Sequence, residues 1–154
     1  MPEIQIGWFY EDFQIGATYE SSRRTITEAD IVLFAGLSSD YNPLHTDEIF
    51  AQDTEYKGRI AHGMLILSIM TGLIVRLNLL DGTTKAFQHI EWRFMRAVRA
   101  GDSIYARMSI DEKKEINRED AGLVTFKVSL FNQDKKAVGR GKLTLLMAKK
   151  KTTK

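Results

Sequence analysis

An aspartate and a histidine stand five positions apart in Ser38-Ser39-Asp40-Tyr41-Asn42-Pro43-Leu44-His45. A carboxylate with an ordinary pKa of ~3.9 and an imidazole near ~6.5 offer a proton acceptor and a proton donor close to neutrality. That is the minimum for general acid–base chemistry. Pro43 lacks an amide proton and disfavours the α region at Asn42, so the segment reads as a formed loop. Asp40 and Asn42 suit such a loop because their short side chains bond nearby backbone amides. The loop would aim Asp40 and His45 at one space. The spacing alone favours a turn whose aspartate caps amides and whose histidine lies on the surface; the flanking residues change that balance.

The elements around the loop must do the positioning. Tyr19 to Thr25 reads as a short strand. Thr27 with Asp30 three residues on has the form of a capping box. The helix it opens carries Ile31, Phe34 and Ala35 on one face and stops near Gly36. Past the loop, Thr46 is placed to cap a short helix from Asp47 to Ala51, with Asp47 and Glu48 in its first turn. Asp53 to Lys57 reads as a loop ending at Gly58. His62-Gly63-Met64 then opens the longest helical pattern, to about Asn78. It is apolar on nearly all sides, through Leu65, Ile66, Leu67, Ile69, Met70, Leu73, Ile74 and Leu77, so something must wrap it.

Strand patterns follow. Phe87 to Phe94 comes first, and Ile104, Ala106, Met108 and Ile110 alternate with polar neighbours. Val124, Phe126, Val128 and Leu130 repeat the pattern, and Leu143, Leu145 and Met147 close it. Turns fall at Gly101-Asp102, Asn117 to Gly122 and Gln133 to Lys136. Gly139 and Gly141 predict a bend or a close backbone approach. Trp8-Phe9-Tyr10 and Phe13 would tie down the beginning of the chain. The order of elements predicts an α+β fold, a single antiparallel sheet curled round the long helix.

At 154 residues the chain fits one domain. Its 22 basic and 20 acidic residues are too balanced for a nucleic-acid binder. Cysteine is absent, which excludes disulfides and thiolate chemistry and agrees with a cytoplasmic location. Met64 to Leu80 is interrupted by Ser68, Thr71, Gly72, Arg76 and Asn78, which predicts a core helix and no membrane span. Met1 to Gln5 lacks the character of a signal peptide. Lys149 to Lys154 reads as a solvated basic tail. No spacing of His, Asp and Glu suggests a metal site.

The run from Phe34 to His45, with Ala51 six residues further, resembles the signature of the MaoC-like, (R)-specific enoyl-CoA hydratases. The likeness extends to His62-Gly63-Met64-Leu65 and Gly101-Asp102 and covers about Asp12 to Leu146. It implies the hotdog fold over a single domain, 1–154, and addition of water to a trans-2-enoyl thioester to give the (3R)-hydroxyacyl product. By the same resemblance Asp40 and His45 are the catalytic pair, and Gly63 supplies the amide that polarises the thioester carbonyl. Thr71 lies near the catalytic water, and Asn42 joins Gly63 and Thr71 as substrate-binding. The substrate would be an acyl-CoA or acyl-carrier-protein thioester, with no cofactor beyond the coenzyme A it carries. The assembly would be a homodimer or larger. Ser39 stands where the signature favours Gly, and Ala97 where a Pro is common before the Gly-Asp turn.

Other residues carry weaker expectations. His62 is expected to bond backbone groups at the helix start and His89 to be a packed or surface residue. Arg93, Arg96 and Arg99 are candidates for phosphate contacts or a charged strand end. Two alternatives stand beside the hydratase: a hotdog thioesterase, a class without the Asp-x-Asn-Pro-x-His loop, and a non-catalytic acyl-CoA-binding subunit.

Overall fold

The computed structural model describes residues 6–151. Two short strands, β1 (Thr18–Glu20) and β2 (Arg24–Thr25), precede helices α1 (Glu28–Ser38), α2 (Pro43–Thr46) and α3 (Glu48–Gln52). The long helix α4 (Gly63–Val75) follows, then strands β3 (Thr84–Phe94), β4 (Ser103–Lys114), β5 (Ala121–Phe131) and β6 (Ala137–Ala148). The strands pair antiparallel in the order β1-β4-β5-β6-β3, with β2 also beside β4.

Period-two alternation sends Ile104, Ala106, Met108 and Ile110 of β4 inward, and likewise Val124, Phe126, Val128 and Leu130 of β5. They meet Leu65, Ile66, Met70, Leu73 and Ile74 of α4 in one core. Each large side chain so buried contributes roughly 1.5–3 kcal/mol. The expected close approach occurs at the glycines of β6. A Cβ on Gly141 would lie 1.9 Å from the Glu91 carbonyl oxygen, and the Trp92 ring covers both Gly139 and Gly141. Phe13 meets Phe126 edge-on at 5.5 Å and anchors the aromatic opening.

Several boundaries differ from the sequence reading. Tyr19 to Thr25 is two strands, because Ser21 turns its hydroxyl onto the Ala106 amide (2.9 Å) and interrupts the ladder. Helix α1 continues past Gly36 and ends at Ser39, a left-handed residue with φ 61°. Asn42 caps α2 with Pro43 in its first turn, so His45 stands on a helical turn and not in a loop. Asp47, not Thr46, caps α3, its carboxylate accepting the Phe50 amide (3.1 Å). The Thr46 hydroxyl instead donates to the Tyr41 and Asn42 carbonyls.

Helix α4 is not covered all round within one chain. Met64, Ser68, Gly72 and Val75 face solvent, and β3 beside it exposes Phe87, Ile90 and Phe94. Lys149 pairs with Glu115 and Lys150 with Asp12, while Lys150 and Lys151 remain exposed. Residues 152–154, and the Met1 to Gln5 start, lie outside the described residues. Among the described residues no helix is long and apolar enough to cross a membrane.

Candidate functional site

Local bonding between α1 and α4 leaves the acid and the imidazole little freedom. Thr27 and Asp30 form the capping box at the start of α1, and Arg24 pairs with Asp30 at 2.6 Å. At its other end the left-handed Ser39 turns the chain so that Asp40 leaves the helix axis. One Asp40 carboxylate oxygen accepts the Asn42 amide (3.2 Å), and Asn42 Oδ1 accepts the Leu44 amide (3.0 Å). One turn later the His45 amide donates to the Asn42 carbonyl (2.9 Å).

Hydrogen-bond partners fix both imidazole tautomers, because a carbonyl can only accept. His45 Nδ1 lies 2.8 Å from the Ile60 carbonyl and carries the hydrogen, which leaves Nε2 as an acceptor. His62 is the reverse: its Nε2–H donates to the Asp40 carbonyl at 2.9 Å, leaving Nδ1 bare. The two rings are in contact, with centroids 3.9 Å apart and planes tilted by 32°. The Phe34 ring of α1 also lies against His62, with centroids 5.1 Å apart. Ligating atoms of Asp40, His45 and His62 all lie within 4.8 Å of one another. This three-residue cluster was not visible as a spacing, since His62 joins it only through the fold. It could be read as an ion site.

His45 and Gly63 line a cavity of about 270 Å³ whose walls include Tyr56, Ile66, Phe94 and Arg96. Gly63 is the first residue of α4, and no side chain caps that end. Helix N-termini carry free amides and partial positive charge, so a developing oxyanion is favoured there. A Cβ on Gly63 would press on the Phe94 ring at 3.1 Å. The loop beneath the cavity is held by arginines. Arg99 donates to the Arg59 and Tyr56 carbonyls, and Arg59 bridges Glu28 (2.6 Å) and Glu48 (3.1 Å). The bonds from Arg59 hold the Glu48 carboxyl below its usual range, and Glu28, then Glu48, raise the Arg59 guanidinium.

His45 joins two groupings: it lies by Asp40 and His62, and it lines the cavity with Gly63, whereas Asp40 itself does not line that cavity. Asn42 is engaged as the α2 cap and does not line the cavity. Thr71 lies eight residues beyond Gly63, about 12 Å along the helix. Its hydroxyl donates to the Ser68 carbonyl (2.6 Å), and it borders a separate apolar cavity of about 190 Å³ with Ile74, Val75 and Phe87. Of the arginines, Arg96 borders the first cavity while donating to the Ala137 carbonyl (2.6 Å), and Arg99 is engaged by carbonyls. Arg93 shares a surface groove with Lys127 and Arg140. His89 is an exposed residue of β3, and Tyr56 and Ile60, unremarked in the sequence, border the first cavity.

An antiparallel sheet packed along one long helix, with His45 beside the uncapped start of that helix, defines a class of fold, the hotdog proteins. The chain belongs to the MaoC-like family, whose domain model, described as MaoC like domain, matches residues 12–130. It is 38% identical over 102 residues to the (R)-specific enoyl-CoA hydratase of Rhodospirillum rubrum, covering 66% of this chain and 69% of that protein. The structure of a monoamine oxidase regulatory protein from Archaeoglobus fulgius superposes with a TM-score of 0.88 at 38% identity, over 94% of this chain and 97% of that one. A Mycobacterium tuberculosis protein with a double hotdog fold matches at TM-score 0.84 and 17% identity, over 96% of this chain and 46% of its own, a likeness of fold alone. Relatives named as hydratases or dehydratases place the family among the hydro-lyases.

Proposed function

We propose that this chain adds water across the 2,3 double bond of a trans-2-enoyl-CoA to give the (3R)-hydroxyacyl thioester, and catalyses the reverse dehydration. The observation that carries this reading is the approach of the Asp40 carboxylate to a His45 ring nitrogen, with His45 lining the cavity at which Gly63 opens its helix. A water held between Asp40 and His45 loses a proton to the pair as its oxygen bonds to C3. The π electrons of the double bond move toward the thioester carbonyl, whose oxygen takes up negative charge facing the Gly63 amide. The proton is then delivered to C2 and the pair ends as it began. Removing one donor of such an oxyanion site typically costs ~10²–10³ in rate. The chemistry requires no metal and no cofactor other than the coenzyme A of the substrate.

The active form in this reading is a homodimer of one-domain chains. Gly63 of α4 lies against Phe94 of β3, Val75 and Phe87 border one cavity, and among the described residues β3 pairs only with β6, as an edge strand. Edge strands template association, and a second copy would cover both surfaces. Thr71 borders that cavity and would face the partner.

Purified protein incubated with crotonyl-CoA and longer trans-2-enoyl-CoAs should lose enoyl absorbance, and chiral analysis should return the (3R) product. A pure (3S) product overturns the assignment. Release of free thiol would point to a thioesterase, and binding without turnover to an acyl-CoA-binding subunit.

A further inference from the structure

We infer that His62 is a positioning residue for the Asp40–His45 pair, held as histidine for one hydrogen bond and one ring face. The inference rests on the hydratase reading of that pair but not on the identity of the acyl group. His62 is 1% exposed, and its Nδ1 is a buried nitrogen with no partner. A buried polar atom left unpaired destabilises a fold. An apolar side chain of similar volume would avoid that penalty, yet His62 lies in a pocket bounded by the rings of Phe34 and His45. What the imidazole provides that an apolar residue does not is the Nε2–H bond to the Asp40 carbonyl.

That bond has leverage because of where it sits. His62 is the N-cap of α4, the helix whose Leu65, Ile66, Met70, Leu73 and Ile74 are buried in the core. Asp40 follows the left-handed Ser39 on an exposed turn, its amide donating to the nearby Ser38 hydroxyl (3.2 Å) while its carbonyl reaches the buried His62. The same ring is a plate against which the His45 imidazole stacks, while His45 Nδ1 is fixed by Ile60, two residues before His62. One side chain thus sets the position of the acid through its main chain and the tilt of the imidazole through its face. A misplacement of about 1 Å in such a pair can cost ~10²-fold in rate.

Two variants separate this role from packing. His62→Leu keeps approximate volume without a donor, and His62→Gln keeps an amide donor near the Nε2 position. The His62→Leu protein should unfold at or above the wild-type temperature, with kcat on crotonyl-CoA lowered about tenfold or more and KM nearly unchanged. His62→Gln should recover most of the lost kcat. Wild-type kcat in His62→Leu, or equal losses in both variants, would overturn the tether. Long-range ¹H–¹⁵N correlation of the imidazoles gives a readout independent of turnover. Opposite tautomers are expected, with the hydrogen on Nε2 of His62 and on Nδ1 of His45. The same tautomer on both rings would refute the assignment even if the wild-type protein hydrated nothing, whereas inactivity with opposite tautomers would indict only the hydratase reading.

Discussion

At Asp40 and His45 the bonds that hold each group leave its reactive atom unengaged. Asp40 is exposed and is tied by one oxygen to the Asn42 amide, while His45 is fixed through Nδ1 and keeps Nε2 open. Neither belongs to the apolar core. Asp40→Asn and His45→Gln should therefore retain the fold by circular dichroism. Each should lose ~10²–10⁴ in kcat, the range of a general acid or base. Near wild-type turnover in either variant would dismiss the proposed roles.

At the scale of elements, α1 is the support whose chemistry can be titrated. Burial works against ionisation of Asp30, but bonds from Arg24 and from the Thr27 amide and hydroxyl outweigh it and hold the carboxyl below its usual range. A depressed carboxyl stabilises the fold above its unfolded value of ~3.9, and that contribution is lost as pH falls through the lower folded value. Asp30→Asn should thus destabilise the protein by about 1 kcal/mol at neutral pH. The gap to wild type in denaturant midpoints should close on acidification below ~3.9; a gap that widened there would contradict the ionic role. The other end of α1 gives the opposite sign. Ser39 holds φ 61°, where a side chain costs about 1 kcal/mol and glycine little. Ser39→Gly should raise the unfolding midpoint, and a clear loss of stability would show that the Ser39 side chain contributes more than its backbone strain.

For the whole molecule the exposed faces of α4 and β3 set the expectation. Ile90→Lys on β3 places a charge where a second copy would pack, yet its site is 37% exposed in the single chain and should tolerate it. Light scattering at micromolar protein should give a dimer for wild type and a smaller species for the variant, with activity falling on dissociation. A fully active wild-type monomer would refute the arrangement.

Periodicity made most of the architecture legible. The alternations at Ile104–Ile110 and Val124–Leu130, the apolar run after Gly63 and the Thr27–Asp30 box are local codes, and each formed where local physics places it. The likeness of Asp40 to His45 to a known signature was local as well. What the chain order could not express was proximity between segments. His62 joins Asp40 and His45 only because α4 begins beneath the turn after α1, a contact between residues 22 apart. The resemblance implies that Asn42 meets substrate; the structure shows its Oδ1 accepting the Leu44 amide as the cap of the next helical turn, a use that its place before Pro43 encodes locally. Helix α4 read as buried all round because hydropathy records that a face must be covered and not by what. The sheet covers one side, and the side bearing Met64 and Val75 stays open within one chain. Residue type and spacing determined which elements form and which atoms can move a proton; the packing of α4 against the sheet and the Asp40 turn decided which of them meet.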